Sequence, residues 1–279
     1  MLKIKKLIFT CIDLIKKFLF FGNFSQNELN GFISNFSKFK FLPYSSVIVP
    51  FSLGRTIRGV SFDKNFYLDP YGKLCNDISS NVSHKIIYEN LYLSFEKEIN
   101  LSAADIIRLR NDIKLKKYPA WAIVMPWEKI TVEEKFNSYP EIFYRNRRLK
   151  GLAFEISSRQ AIIDEMHSSR SLESKINQMK KLYESINKSY TVKQANMPKI
   201  NILIKDNEWR WFMGDDGNHR SYILSLINHE FFNARVNSII NKNNAKNWHN
   251  VRNGTYSIKD AEEIFDSFFH GSHVLRGVI

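Results

Sequence analysis

At 279 residues the chain is long enough to bury a real core, as one composite domain or two small ones, and its shares of apolar and charged residues are those of a folded soluble protein. The imbalance is in sign: 41 Lys and Arg against 28 Asp and Glu give a net charge of +13, which favours anionic partners such as nucleotides, nucleic acid or the cytoplasmic face of a membrane and says nothing about fold. Cys11 and Cys75 are the only cysteines, which excludes a disulfide framework and a cysteine-based zinc site and points to a reducing, cytoplasmic location.

Residues 1–21 read as a basic amphipathic helix, with Ile4, Leu7, Ile8, Cys11, Leu14, Ile15, Phe18 and Leu19 at helical spacing and lysines at both ends. Its charge-free run is far short of the roughly 20 residues that a spanning helix requires. Two expectations remain open for it: a helix lying on an anionic membrane surface, which would make the protein peripheral at the inner face, or a helix packed on the protein's own core. Residues 22–30 are polar and turn-rich, a linker. The aromatic and β-branched run 39–51, broken by Pro43 and Pro50, predicts short strands around turns. In Gly54-Arg55-Thr56-Ile57-Arg58-Gly59 two arginines stand between glycines, either a phosphate- or glycan-facing loop or a solvated hairpin end. Residues 62–71 carry two Asp and four aromatic residues that suit either base or sugar stacking or a core.

Ser102 with Asp105 makes a capping box, predicting a helix that ends near Lys117 and Pro119. Residues 120–128 are apolar enough for a buried strand ending at Pro126, and Glu128 at its end is a candidate catalytic carboxylate. Thr131 and Glu134 form another capping box. Arg145, Arg147, Arg148 and Lys150 are the densest basic cluster, suited to steering an anionic substrate or to a solvated turn. Residues 152–156 predict a strand, and Ser171 the start of a helix with Leu172, Ile176, Met179, Leu182, Tyr183 and Ile186 on one face.

Residues 200–204 predict a strand, and residues 207–211 a hairpin whose paired tryptophans form a lid or an edge. Next comes Gly214-Asp215-Asp216-Gly217-Asn218-His219-Arg220, opening onto a helix over 221–227. Backbone N–H groups and the positive end of a helix dipole attract phosphate at such a start, and a guanidinium adds a bidentate contact. The alternative is a helix start with an acidic cap and no ligand. Asn228 suits a left-handed position after the helix, and residues 232–236 return as a strand. Ser257 and Asp260 cap a last helix ended by Gly271, which breaks the helix between His270 and His273 and disfavours a metal held by both.

Strand, Asp-Gly-Asn-His-Arg, helix, strand resembles the nucleotide and phosphate box of the ParB/sulfiredoxin-like superfamily, over residues 151–240. In the sulfiredoxin branch a cysteine precedes His-Arg; Asn218 stands there in this chain, so sulfinic acid repair is not expected. The ParB Glu-Arg-Arg box is also missing, which leaves the free serine kinase branch as the nearest. The resemblance implies an α/β (α+β) fold, with a small mixed sheet, flanking helices and a ParB/sulfiredoxin-like core that follows an N-terminal extension. The expected division is an amphipathic helix at 1–22, an N-terminal α/β region at 31–145, the core at 146–245 and a helical tail at 246–279. It further implies that Glu155 matches the glutamate that activates the acceptor hydroxyl in that branch.

The chemistry expected is phosphoryl transfer from a nucleoside di- or triphosphate, ATP or ADP, to a hydroxyl of a small molecule or glycan, with a role in cell-surface polysaccharide assembly. Gly217, Asn218, His219 and Arg220 would bind phosphate, and His219 and Arg220 would offset developing charge. Asp216 would hold Mg2+ or accept the hydroxyl proton, with Glu155 and Glu128 as the other candidate bases. A module that binds nucleotide or nucleic acid without turnover is the alternative. No Walker loop, protein-kinase signature or nucleophile elbow is present.

Overall fold

The structure, a computed structural model, describes residues 46–62, 66–107, 109, 112–149, 151, 158–189, 197–206, 208–214 and 217–272. The helix expected over 1–21, the strand expected over 152–156 with Glu155, and Lys150, Asp215, Asp216 and His273 lie outside the described residues.

The architecture is mixed α+β, built on a five-stranded sheet in the order β1-β5-β3-β4-β2. Strands β3 (Lys199–Lys205) and β4 (Glu208–Met213) form an antiparallel hairpin with Lys205 opposite Glu208, and Asp206 takes the left-handed conformation (φ 52) that its tight turn demands. Strand β5 (Phe231–Asn241) runs parallel to β3, and β1 (Ser46–Pro50) lies antiparallel to β5. The two-residue β2 (Gly54–Arg55) closes the other edge, parallel to β4. One sheet thus takes strands from both sides of residue 145.

Side chains that alternate along the strands feed two cores. Ile200, Ile202 and Ile204 of β3 and Trp209, Trp211 and Met213 of β4 face one core. Leu203 and Phe212 face the other. The first core is covered by α1 (Pro70–Ser79) and α2 (His84–Ile99), and by α7 (Ser169–Lys188) and α8 (Asn218–Leu226), which come later in the chain. Between α2 and α7 run α3 (Ala103–Ile106), α4 (Ile113–Lys116), α5 (Val132–Leu149) and α6 (Arg159–Met166); α9 (His249–Arg252) and α10 (Ile258–His270) follow the sheet. Trp211, fully buried, packs against the rings of Phe51, Phe62 and Phe232 at 5.9, 5.5 and 5.0 Å, and its Nε1 donates to Pro50 O at 2.8 Å. Position 54 has to be glycine, because a Cβ there would stand 2.3 Å from the Trp211 ring.

The second core is led by α10, which Ser257 caps by accepting from Asp260 N and which buries Ala261, Ile264, Phe265, Phe268 and Phe269 before Gly271 ends it in the left-handed region. Arg55, 5% exposed, donates from Nε and Nη2 to Phe269 O at 3.2 and 2.9 Å. One of the two arginines between glycines is therefore a helix C-cap, its positive charge set against the negative end of the dipole.

Several expectations change. Residues 120–128 are buried in alternation but form a 3-10 turn (Ala120–Ala122) and an irregular loop, not a strand. Side chains replace strand neighbours as donors to its carbonyls. Asn250 Nδ2 gives to Met125, Glu128 and Ile130 O at 3.1, 3.0 and 3.0 Å, Tyr256 Oη to Val124 O, and Lys135 Nζ to Ile123 O. The helix expected from Ser102 divides into α3 and α4, the second capped by Asp112. The helix expected from Ser171 starts earlier, capped by Ser168. Arg145, Arg147 and Arg148 lie at the end of α5, where Arg147 is buried and pairs with Glu165 of α6 at 2.7 Å. Trp209 and Trp211 are core residues, neither a lid nor an exposed edge. Among the described residues, no helix is long and apolar enough to cross a membrane.

Candidate functional site

The loop from β4 to α8 is shaped by two glycines. Gly214 N donates to Lys199 O at 2.8 Å, which continues the hairpin one residue beyond Met213. Gly217, the N-cap of α8, has φ 86 and ψ 3, and a Cβ there would stand 2.4 Å from Pro198 Cβ. Both the left-handed backbone and the close approach require glycine. Having no side chain, Gly217 gives no side-chain acceptor to the first turn of α8.

The polar side chains of that turn are half-buried. Asn218 Nδ2 donates to Gly214 O at 3.0 Å, which ties the loop to the helix, while its Oδ1 is buried without a hydrogen bond. The His219 ring packs against Tyr71 at 5.2 Å. Ser221 Oγ donates to Gly217 O at 3.1 Å. One turn on, Tyr222 is fully buried against Phe62 at 5.6 Å. Burial, then the nearby Asp69 carboxyl, pushes its hydroxyl well above the ordinary tyrosine pKa.

Gly217, Asn218, His219 and Arg220 are thus brought together at the start of α8, with Asp216 next to them in the chain but outside the described residues. Glu128 is placed elsewhere. It adjoins Tyr256, whose pKa is raised first by burial and then by the Glu128 charge, and its carbonyl is held by Asn250. That cluster belongs to the core on the opposite face of the sheet from Tyr222. Among the described residues, no group of three or more His, Cys, Asp and Glu is arranged to hold a metal ion.

Sequence reasoning passed over Asp69 as a site residue. It caps α1, with Oδ1 accepting from Tyr71 N at 2.9 Å and Pro70 in the first helical turn, and its side chain is 0% exposed. The Asp-Pro pair is a helix-start signal in its own right. Nothing local showed that this start meets that of α8. Compared with known proteins, the chain matches no family model, no curated protein and no solved structure.

Proposed function

We propose that the start of α8 seats the phosphates of a nucleoside di- or triphosphate, and that the protein is a phosphotransferase of the ParB/sulfiredoxin-like kind. It would carry a phosphoryl group to a hydroxyl on a small molecule or glycan. The observation that carries this reading is the left-handed glycine N-cap, which opens α8 with Asn218, His219 and Arg220 in its first turn. Such a turn supplies aligned donors and a positive dipole end to phosphate oxygens, and a guanidinium and an imidazole to offset charge that develops in transfer. The resemblance calls for strand, box, helix and strand, and β4, the Gly217 loop, α8 and β5 follow one another in that order.

Phosphoryl transfer asks mainly for positioning and charge neutralisation, with a base for the attacking hydroxyl. In this reading Asp216 or Glu155 takes that proton, and Mg2+ arrives with the nucleotide, Asp216 being the carboxylate nearest the seat in sequence. A thermal-shift screen of ATP, ADP and CTP with and without Mg2+ tests it, because a ligand that binds only the folded state raises the melting temperature. A specific stabilisation lost in His219→Ala and in Arg220→Ala supports the seat; stabilisation unchanged in both variants rejects it. The net charge of +13 favours one second reading, a nucleic-acid-binding module without turnover. Binding to DNA with a steep salt dependence, and no phosphoryl transfer, would favour that one.

A further inference from the structure

Between Glu230 and Asp260 the chain carries no acidic residue, while Arg235, Lys242, Lys246, Arg252 and Lys259 fall in the same run. Its middle part folds as a 3-10 segment (Lys242–Asn247) followed by α9. The large side chains there turn inward: Trp248 and Tyr256 are buried in the second core, Trp248 against Trp127 at 5.4 Å and Phe265 at 5.7 Å. Asn250, also buried, donates to three carbonyls of the loop beside it. What faces solvent on this anchored base is Asn243, Asn244, Lys246, Asn247, His249 and Arg252.

Two more cations join this surface from other elements. Lys129 is exposed, and the carbonyls on either side of it, Glu128 O and Ile130 O, are both held by Asn250 Nδ2 at 3.0 Å. Lys114 of α4 donates from Nζ to Gly254 O at 3.2 Å, two residues beyond the end of α9. Lys242 is paired with Asp266, but among the described residues Lys129, Lys246 and Arg252 make no ion pair. The carboxylates that border the surface have structural places: Glu134, whose charge interacts with His249, closes the capping box with Thr131, Asp112 caps α4, and Glu128 adjoins the buried Tyr256.

The exposed residues of 242–254 include no Phe, Tyr, Trp or aliphatic side chain. Such a surface has nothing to insert into a bilayer and no platform for the unstacked bases of a single strand. Its ammonium, guanidinium and amide donors match phosphate oxygens, and a duplex presents those in a regular row of negative charge. We propose that the surface around α9 binds the phosphodiester backbone of double-stranded DNA without reading its sequence. It borders the second core, whereas the buried residues of α8 belong to the first, so this inference stands apart from the phosphate seat.

The test is fluorescence anisotropy of the full chain with a labelled DNA duplex of arbitrary sequence, its single strand and the matching RNA duplex, from about 50 to about 200 mM salt. For the DNA duplex the slope of log affinity against log salt should be about −3 to −4, at about −0.9 for each phosphate neutralised by Lys114, Lys129, Lys246 and Arg252. Lys246→Ala and Arg252→Ala, both at exposed positions and checked for folding by circular dichroism, should each make it shallower by about 1. Lys246→Glu should weaken binding roughly tenfold, while Lys85→Glu, the same change in net charge on α2 over the first core, should bind as the wild type does. Four results overturn the proposal: an equal loss in Lys85→Glu, which makes net charge alone the cause; a loss in Arg220→Ala with Lys246→Glu unaffected, which moves the DNA to α8; tighter binding of the single strand or the RNA duplex; and no binding at the lowest salt. The α8 seat is read separately by the nucleotide thermal shift, so the failure of either leaves the other standing.

Discussion

Gly217 and Asn250 show how single positions set the two ends of this molecule. At Gly217 an alanine meets both a φ of 86 and a Pro198 carbon at 2.4 Å, so relief requires β3 or α8 to move. Gly217→Ala should cost about 1–3 kcal/mol in urea unfolding and abolish any anion-dependent stabilisation. Unchanged stability would mean that the loop is looser than its backbone implies. Asn250, fully buried, holds three carbonyls of the loop between Met125 and Ile130 through one amide nitrogen. Asn250→Ala leaves them without that donor and should cost about 2–4 kcal/mol, near the upper range for loss of a buried hydrogen-bond network. A loss under 1 kcal/mol, of the order of an ordinary surface change, would show that water replaces the amide. Glu134, whose pKa is lowered by the backbone and hydroxyl of Thr131, belongs to a capping box, the structural role that the sequence gives it.

Helix α10 is held to the sheet by charge as well as by its aromatic face. Arg55 caps its C-terminal end from β2, so Arg55→Met, which keeps most of the apolar stem, should lower stability by about 1.5–3 kcal/mol, the range for a hydrogen bond to a charged group. Chemical denaturation checks it. On the flank of α10, Asp266 meets Lys242 at 2.6 Å and Lys205 at 3.0 Å. Burial alone would raise its pKa, but the two lysine contacts outweigh that and hold the carboxyl below its ordinary value. A lowered folded pKa means stabilisation that is complete above the unfolded value of about 4 and is lost as the pH falls through the folded one. Asp266→Asn should therefore flatten the acid limb of the stability profile below about pH 4. An acid limb equal to that of the wild type would place the linkage in other carboxylates.

For the molecule as a whole, the parts readable in the sequence are those whose pattern is local. Strand β3 is an apolar run, α7 and α10 carry apolar stripes, α10 behind the expected serine cap, and Asn228 is left-handed (φ 59) after α8, as expected. What failed was non-local. The run 120–128 looks like a strand because it is apolar, yet its backbone partners include side chains more than a hundred residues later, Asn250 and Tyr256. Likewise β2 has two residues and no pattern to read, and its glycine is fixed by the Trp211 ring across the sheet. At the candidate site the motif around Gly217 was visible, whereas Asp69 joins it only because α1 and α8 pack start to start. The claim on which the functional account depends is that the first turn of α8 binds phosphate oxygens. Amide NMR of the full chain during titration with inorganic phosphate or ATP tests it most directly. The account predicts saturable shifts of the Asn218, His219 and Arg220 N–H signals that disappear in Arg220→Ala; those three signals staying still while the ligand binds elsewhere, or not at all, would contradict it.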